Sequence, residues 1–408
     1  MTENVTEQAL SLSMDMGEAM LECGADVHRV EQTISLIGGA YGADRVDVFS
    51  INSMVLATVQ AGEQTYTQSR RVTSYTTDLD RLEDLNSLSR RLCGEKPPLD
   101  RARRAFARLG GRSRVLPVLL KAMGYVSAAG GFCVFFGGRA GDCLVSMLIA
   151  VLLWLCDRHL RAQLPNRLIY TAVTAAAMGI LACLAGRIGL APNPDKVMIG
   201  DIMLQIPGLV LINGLRDMLL GDTMTGCMRV VEAVLTALAI ALGFAVALML
   251  FHVPASGLTA SAEVQTVSGI FGTLGFSLLF SVKMKRMVPV LACGALTAVI
   301  YECCTFFTDN MFLCFVIPAI VCGLVAESMA RIIKAPTTVF LLPGLVVLLP
   351  GNALYYTMAA LVQSAGREAV AYGTLTVQES VAIAMGVVAS SILTIILTKI
   401  IGKMKKRR

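Results

Sequence analysis

The side chains in this sequence that could do chemistry are ionisable groups set among apolar ones. Between Gly200 and Val234 the chain reads Gly-Asp201-Ile-Met-Leu-Gln205-Ile-Pro207-Gly208-Leu-Val-Leu-Ile-Asn213-Gly-Leu-Arg216-Asp217, then Gly221-Asp222, then Arg229 and Glu232. Glu302 and Glu327 stand singly in later apolar runs. Polar groups of this kind are costly inside a bilayer and usually functional. A carboxylate in a partly dry cavity can exchange a proton near neutral pH. Asp201, Asp217, Asp222, Glu232, Glu302 and Glu327 are therefore candidates for proton coupling or gating. Arg216 and Arg229 add forks that can hold a carboxylate bidentately.

Each has a plainer reading. Arg216, Asp217, Asp222 and Arg229 lie in or beside a loop and can serve as ion pairs that anchor it. Asp201 is expected at the outer mouth of its span, where a solvated carboxylate costs little. Glu302 and Glu327 lie about a turn from expected span ends and can snorkel. Glu232 falls about one turn inside its span, with Arg229 three residues back as its expected partner. Glu379 is expected to open the last span, where a carboxylate near a helix N-terminus is ordinarily structural.

Breaks in apolar helices give the second kind of chemistry. Pro207-Gly208-Leu209-Val210-Leu211-Ile212 recurs as Pro343-Gly344-Leu345-Val346-Val347-Leu348, and the second copy runs on into Pro350-Gly351-Asn352 and Tyr355. A Pro-Gly break frees backbone N–H and C=O groups. Half-helix N-termini can then face a carboxylate, and freed carbonyls an ammonium. Pro207, Gly208, Asn213, Pro343, Gly344, Pro350, Gly351, Asn352 and Tyr355 are the candidate substrate contacts. For either Pro-Gly taken alone, a simple kink in a packed helix explains as much.

These groups need elements that span a membrane, and the composition supplies them. The chain is 55% hydrophobic and 16% charged with mean hydropathy +0.67, against about 25% charged in a soluble domain. Apolar runs of spanning length follow one another from Val115 onward. The fold class expected is a polytopic α-helical membrane protein of about ten spans arranged as two five-helix inverted repeats, after a small cytoplasmic α+β domain. The spans are placed near 115–136, 140–157, 167–186, 197–218, 229–252, 265–282, 287–307, 311–331, 336–361 and 378–401. The domain boundaries expected are 1–100 for the cytoplasmic domain, 101–114 for a basic amphipathic linker, and 115–255 and 256–408 for the two repeats.

Basic residues set the orientation. Arg101, Arg103, Arg104, Arg108, Arg112 and Arg114, then Arg158, Arg161 and Arg167, Arg216 and Arg229, Lys283, Lys285 and Arg286, Arg331 and Lys334, and the cluster from Lys403 to Arg408 fall on one side. The other side holds Arg139, Arg187, Lys196 and Arg367. The positive-inside rule then puts both termini in the cytoplasm, on an inner (plasma) membrane. The first and second copies of the Pro-Gly pattern lie in spans four and nine, the fourth of each five. Five is odd, so the halves run in opposite senses, and matched broken helices in inverted halves point to a midplane binding site.

The first hundred residues read differently. An amphipathic helix is expected over about 5–22, with Ala9, Leu12, Met16, Ala19 and Met20 on one face. Gly24 ends it and Asp26 caps a second helix to Tyr41. Three short strands follow from Val46, Met54 and Gln64, then a helix near Asp78 to Leu92, with Pro97-Pro98 as a boundary.

Several classes are excluded. No basic, apolar leader opens the chain, so no cleaved signal is expected. The twelve cysteines include no C-x-x-C, and His28, His159 and His252 are far apart, so no metal is expected. No Walker loop or Ser/His/Asp arrangement occurs, so neither a cofactor nor an enzymatic activity is expected. The net charge of +6 sits at membrane edges, which suggests anionic lipid rather than nucleic acid.

The residues also resemble the threonine/serine exporter family. Gly24-Ala25-Asp26-Val27-His28-Arg29-Val30-Glu31 is similar to that family's N-domain motif, in which Gly24, Arg29 and Glu31 stand out. Pro207-Gly208 with Asn213, Arg216-Asp217, Gly221-Asp222, Gly226 and Arg229-Val-Val-Glu232 resembles its first membrane half. Pro343-Gly344 and Pro350-Gly351 with Tyr355 look like its C-terminal domain. The resemblance covers essentially the whole chain and implies export of small hydroxy amino acids driven by protons, with both halves fused. The expected partners are a small amino acid, protons and membrane lipid; a homo-oligomer is left open. The alternatives are export of small dicarboxylates such as succinate, or a membrane-anchored enzyme or sensor acting through the N-terminal domain.

Overall fold

The computed structural model describes residues 2–73, 75–110, 118–161, 163–164, 166–251 and 256–406. Arg112, Arg114, Val115, His252 and the side chains of the basic cluster from Lys403 lie outside the described residues. The chain divides into two compact units: Met1–Leu116 with Phe280–Met284 and Ala330–Val339, and Pro117–Leu279 with Lys285–Met329 and Phe340–Arg408.

The first unit is built from α1 (Thr2–Glu22), α2 (Val27–Ala40), β1 (Arg45–Ile51), β2 (Met54–Ala61), β3 (Gln64–Arg71), α3 (Leu79–Glu95) and α4 (Leu99–Gly110). The strands form an antiparallel meander in the order β1-β2-β3. On β2, Val55, Ala57 and Val59 are buried and alternate with less buried residues, the period of a half-buried strand. The first helix departs from its expected single face. Leu10, Met14 and Leu21 are buried together with Leu12, Met16 and Met20, so α1 is the central helix of the unit, packed by α2, α3, α4 and the sheet. Asp26 holds the N-cap position of α2 but makes no side-chain cap. Asp78 does cap α3, accepting the Arg81 N–H at 3.1 Å.

The basic stretch expected as a linker is instead part of this unit. Its helix α4 buries Leu99 and Ala102 in a cluster with Ala9, Leu12, Ile37 and Leu92, because its apolar stripe has a core to join while its arginines stay exposed. Two short loops from late in the chain complete the unit: Leu79 N–H donates to the Phe280 carbonyl at 2.9 Å, and Arg90 Nη2 to the Lys334 carbonyl at 2.8 Å.

The second unit holds α5 (Val118–Phe135), α6 (Ala140–His159), α7 (Arg167–Arg187), α8 (Pro194–Ile202), α9 (Gly208–Leu220), α10 (Thr223–Phe251), α11 (Ala262–Leu279), α12 (Met287–Phe307), most of α13 (Met311–Ile333) and α14 (Thr338–Leu345), α15 (Gly351–Val362) and α16 (Gly366–Lys406). Among the described residues seven helices are long and apolar enough to cross a membrane, and the bent pair formed by α14 and α15 makes an eighth. The expected fourth and sixth spans fall short of that measure. The fourth is split into helices of 9 and 13 residues. The sixth, α11, spends its length on Gly, Ser, Thr and Gln, which suit close packing better than lipid. Leu144, Leu148 and Leu152 along α6 and Leu235, Leu238, Leu242 and Met249 along α10 are exposed. Apolar rows on the outside are what a bilayer solvates.

Small residues bring the helices together in matching pairs. A Cβ on Gly243 of α10 would lie 2.3 Å from the Ala172 carbonyl oxygen and 2.7 Å from Ala175 Cβ, both on α7. A Cβ on Gly386 of α16 would lie 2.7 Å from the Val316 carbonyl oxygen and 2.6 Å from Ala319 Cβ, both on α13. Gly243 and Gly386 are 143 positions apart; Ala172 and Val316, like Ala175 and Ala319, are 144 apart. Phe132 of α5 and Phe276 of α11, also 144 apart, meet edge to face with ring centroids 5.8 Å apart.

Candidate functional site: two broken helices and their buried carboxylates

The first break is made by the backbone. Pro207 lacks an N–H and stands as N-cap of α9, with Gly208 its first helical residue. Pro350 and Gly351 hold the same positions on α15. The structural counterpart of Pro207-Gly208 is therefore Pro350-Gly351, 143 positions on, and not Pro343-Gly344. Those two residues lie inside α14, with Gly344 against Cys293 and Cys322. Pro343 is the sixth of the 8 residues of α14, so it removes one intrahelical hydrogen bond of a short helix and does not start a new one. The two breaks touch. A Cβ on Gly208 would stand 3.1 Å from Leu349 Cδ2, and one on Gly351 would stand 2.3 Å from Met203 Sδ.

Asp201 sits in the last turn of α8, just before the first break, and is wholly buried, not at a solvated mouth. Its Oδ1 accepts the Ser146 hydroxyl at 2.7 Å, while Oδ2 has no partner. Gln205 lies in the break itself; its Nε2 donates to Thr174 Oγ1 at 2.6 Å and its Oε1 is left without a donor. These unfilled acceptors mark a place a proton or a polar group could enter. Asp142, equally buried, differs. It accepts the Arg139 N–H, the Asn193 N–H and Asn193 Nδ2 at 2.8–2.9 Å, which ties α6 to the start of α8.

Two further groups stand elsewhere than the sequence reading put them. Lys196, placed by hydropathy in an outer loop, is only 2% exposed, with Nζ 3.7 Å from Asp195 Oδ2 and 3.3 Å from the Tyr356 hydroxyl. Asp195 Oδ2 also accepts the N–H and hydroxyl of Ser256. Glu379 does not stand near the start of its helix. Its helix begins at Gly366, and Glu379, 6% exposed, lines a cavity of about 230 Å³ with Leu349, Pro350, Gly351, Asn352 and Gln265. The signal available was that nothing between Gly366 and Gln378 forbids helix, so the carboxylate could have been placed well inside one.

The remaining candidates fall elsewhere. Asn213 is half-buried on α9. Tyr355 is buried against Phe244, and its hydroxyl meets Met198 Sδ at 3.6 Å, away from the cavity. Arg216, Asp217 and Arg229 form a cluster between α9 and α10. Arg229 Nη1 donates to Asp217 Oδ2 at 2.5 Å, and Arg216 Nη2 lies 3.5 Å from Oδ1. Asp222 follows Gly221, whose φ of 102° ends α9, and its N–H donates to the Asp217 carbonyl. Glu232 pairs with Arg167 at 2.7 Å, both side chains about half exposed, and not with Arg229. Arg229 is turned toward α9 by the buried Asp217, which leaves Glu232 the first residue of α7 as partner. Glu302 is half-buried with Oε1 unpartnered, and Glu327 is half-buried on α13.

In the first unit, the motif residues hold elements together. Gly24 has φ +87°, which ends α1. Arg29 donates to Asn86 on α3, and burial, the largest influence on it, holds its pKa below the usual arginine value. Glu31 Oε1 accepts the Ser50 N–H at 2.8 Å, joining α2 to β1. Lys283 is set among Asp80, Glu83 and Asp84, 2.5 Å from Asp84 Oδ1. Burial opposes its charge, but the Asp84 hydrogen bond and the three carboxylates outweigh that and raise its pKa.

Comparison with known proteins matches this arrangement to one family. Residues 11–251 match a family model described as "Putative threonine/serine exporter", and residues 265–393 match a second described as "Threonine/Serine exporter". A protein of Mycobacterium tuberculosis named "Probable threonine/serine exporter" is 25% identical over 247 residues, covering 60% of this chain. The chain spans about half (46%) of that relative's length. No solved structure matches the chain. With both halves matched in order, by models that divide at the loop between α10 and α11, the chain belongs to the threonine/serine exporter family.

Proposed function

We propose that this chain is a secondary active transporter that exports threonine, serine or a similar small polar amino acid across the inner membrane, driven by protons. One observation carries the reading: two Pro-Gly breaks in separate halves of the chain meet, Gly208 on Leu349 and Gly351 on Met203, and a buried carboxylate flanks each. An anchor for an enzyme or sensor would have no need of such a pair. Broken helices at a repeat interface are where transporters place substrate and coupling ions.

In this reading the chain crosses the membrane ten times as two inverted five-helix halves. The constant spacing of 143–144 positions between matching contacts supports it, including the symmetric Phe132–Phe276 pair. The first unit and both termini are cytoplasmic, and Arg216, Asp217 and Arg229 form a gate at the cytoplasmic ends of α9 and α10. Asp201 and Glu379 are the proton-coupling carboxylates, and Pro207, Gly208, Pro350, Gly351 and Asn352 border the substrate path.

The test is efflux of labelled threonine from proteoliposomes with and without an imposed proton gradient. Gradient-dependent efflux that requires the protein is expected. No protein-dependent efflux across a panel of small amino acids would sink the proposal.

A further inference from the structure

The cavity at the second break is chemically one-sided. It is lined by Phe135 of α5 and Phe136 just beyond it, Gln265 of α11, Tyr301 of α12, α13, the Leu349–Ala353 segment and Glu379 of α16. Among the described residues Glu379 is the one carboxylate on its wall, and no lysine, arginine or histidine lines it. The other titratable groups lining the cavity with Glu379 are Tyr301 of α12 and Tyr372 of its own helix; among the described residues α5, α11, α13 and α15 contribute none. Among the described residues no donor is hydrogen-bonded to the Glu379 carboxylate, though the residue is 6% exposed. A buried carboxylate in that position needs either a proton or a cation. The N-terminus of α15, a helix of 12 residues, lines the same cavity; its Gly351 N–H donates to the Leu349 carbonyl at 2.7 Å, which leaves the Asn352 and Ala353 N–H groups without an intrahelical acceptor. The volume, about 230 Å³, is below the roughly 300–1,000 Å³ of drug-sized pockets and suits a small metabolite.

We propose that this cavity is a zwitterion site: Glu379 binds the substrate ammonium, the first turn of α15 binds its carboxylate, and proton and ammonium compete for Glu379. The inference rests on the exporter reading and narrows it to amino acids. A dicarboxylate entering here would meet a buried negative charge with no cation to offset it. The exchange balances without any covalent step to substrate. When the ammonium enters, the Glu379 O–H gives its proton to water and an ion pair forms; when a proton returns, the ion pair is replaced by O–H and the amino acid leaves. One residue that can hold one or the other, but not both, couples their movements in opposite directions.

The test is binding of tritiated threonine to the purified full-length chain in nanodiscs at pH 6 and pH 8. Competitors are threonine amide, which keeps the ammonium, N-acetylthreonine, which lacks it, and succinate. Threonine amide, which keeps the ammonium but lacks the carboxylate, is expected to compete more weakly than unlabelled threonine and the other two not at all, and the apparent Kd is expected to rise about tenfold on going from pH 8 to pH 6. Glu379→Gln should weaken binding at least about tenfold and flatten the pH profile, while Glu379→Asp keeps a pH-dependent site. Wild-type affinity and profile in Glu379→Gln, with efflux intact, would overturn the site and leave the exporter reading standing. If Glu379→Gln is not monodisperse, the wild-type competitor panel decides: competition by N-acetylthreonine equal to threonine overturns the proposal. Binding of succinate with no binding of threonine would overturn both.

Discussion

Gly275 of α11 lies so close to Ala128 of α5 that a Cβ at position 275 would stand 2.3 Å from the Ala128 amide nitrogen. The contact recurs with the helices exchanged: a Cβ on Gly131 of α5 would stand 2.7 Å from the Gly272 amide nitrogen. Gly131 and Gly275 are 144 positions apart, as are Ala128 and Gly272. In both cases the obstacle is backbone, which cannot rotate away. Gly275→Ala and Gly131→Ala should each lower stability by about 1–3 kcal/mol. Thermal unfolding in detergent, followed by size-exclusion chromatography, reads the effect; unchanged midpoints for both would mean that α5 and α11 do not cross at these residues.

The Asp217–Arg229 pair is buried enough to be unforgiving. Asp217 is 4% exposed, and removing Arg229 takes away the cation 2.5 Å from its Oδ2, while Arg216 stands farther off at 3.5 Å from Oδ1. Arg229→Met should cost about 2–4 kcal/mol, and adding Asp217→Asn should cost less than the sum of the two single changes. A double-mutant cycle in chemical denaturation measures the coupling. Simple additivity would remove the pair from the account of how α9 and α10 are joined.

Glu232 and Arg167 make the opposite case. Their side chains are about half exposed, so the pair is worth at most about 1 kcal/mol after screening. Glu232→Gln should leave both the unfolding midpoint and gradient-driven threonine efflux close to wild type. A loss of efflux on that scale of stability would return Glu232 to the transport mechanism.

Asp201→Asn tests the carboxylate at the first break while keeping its shape. The amide oxygen still accepts the Ser146 hydroxyl, so folding should be preserved within about 1 kcal/mol. Uphill threonine efflux should drop at least about tenfold, while threonine exchange across the membrane persists. Uphill efflux at the wild-type rate would make Asp201 a packing residue.

Lys283 supplies a pH-dependent prediction outside the spans. Its folded pKa is raised, so the stability it provides is fully present below its unfolded value of about 10.4 and is lost as pH climbs through the folded value. Hydrogen exchange of α3 should therefore accelerate above about pH 10. Lys283→Met, which leaves Asp80, Glu83 and Asp84 without their shared cation, should bring comparable exchange to neutral pH at a cost of about 1–3 kcal/mol. Protection of α3 that is identical in both proteins at pH 7 would refute the role.

Much of this architecture was legible in the sequence. Hydropathy marked the apolar helices because each must bury or solvate its own surface. The 2.0 and 3.6 periods marked the N-terminal strands and helices to within a few residues. Pro and Gly marked the break at Pro207-Gly208, since a missing N–H and a missing Cβ act locally. Partners were another matter, being decided by tertiary structure. The likeness of Pro343-Gly344-Leu-Val to Pro207-Gly208-Leu-Val pointed seven residues short of the break, because Pro343 stands inside a short helix, sixth of its eight residues, whereas Pro350 at an N-cap begins a new one. The burial of Asp201, Lys196 and Glu379, and the exposure of Glu232, depend on what other helices place opposite them. A linear sequence carries the cost of a buried charge, but the residue that offsets it lies on another helix, and only the fold brings the two together.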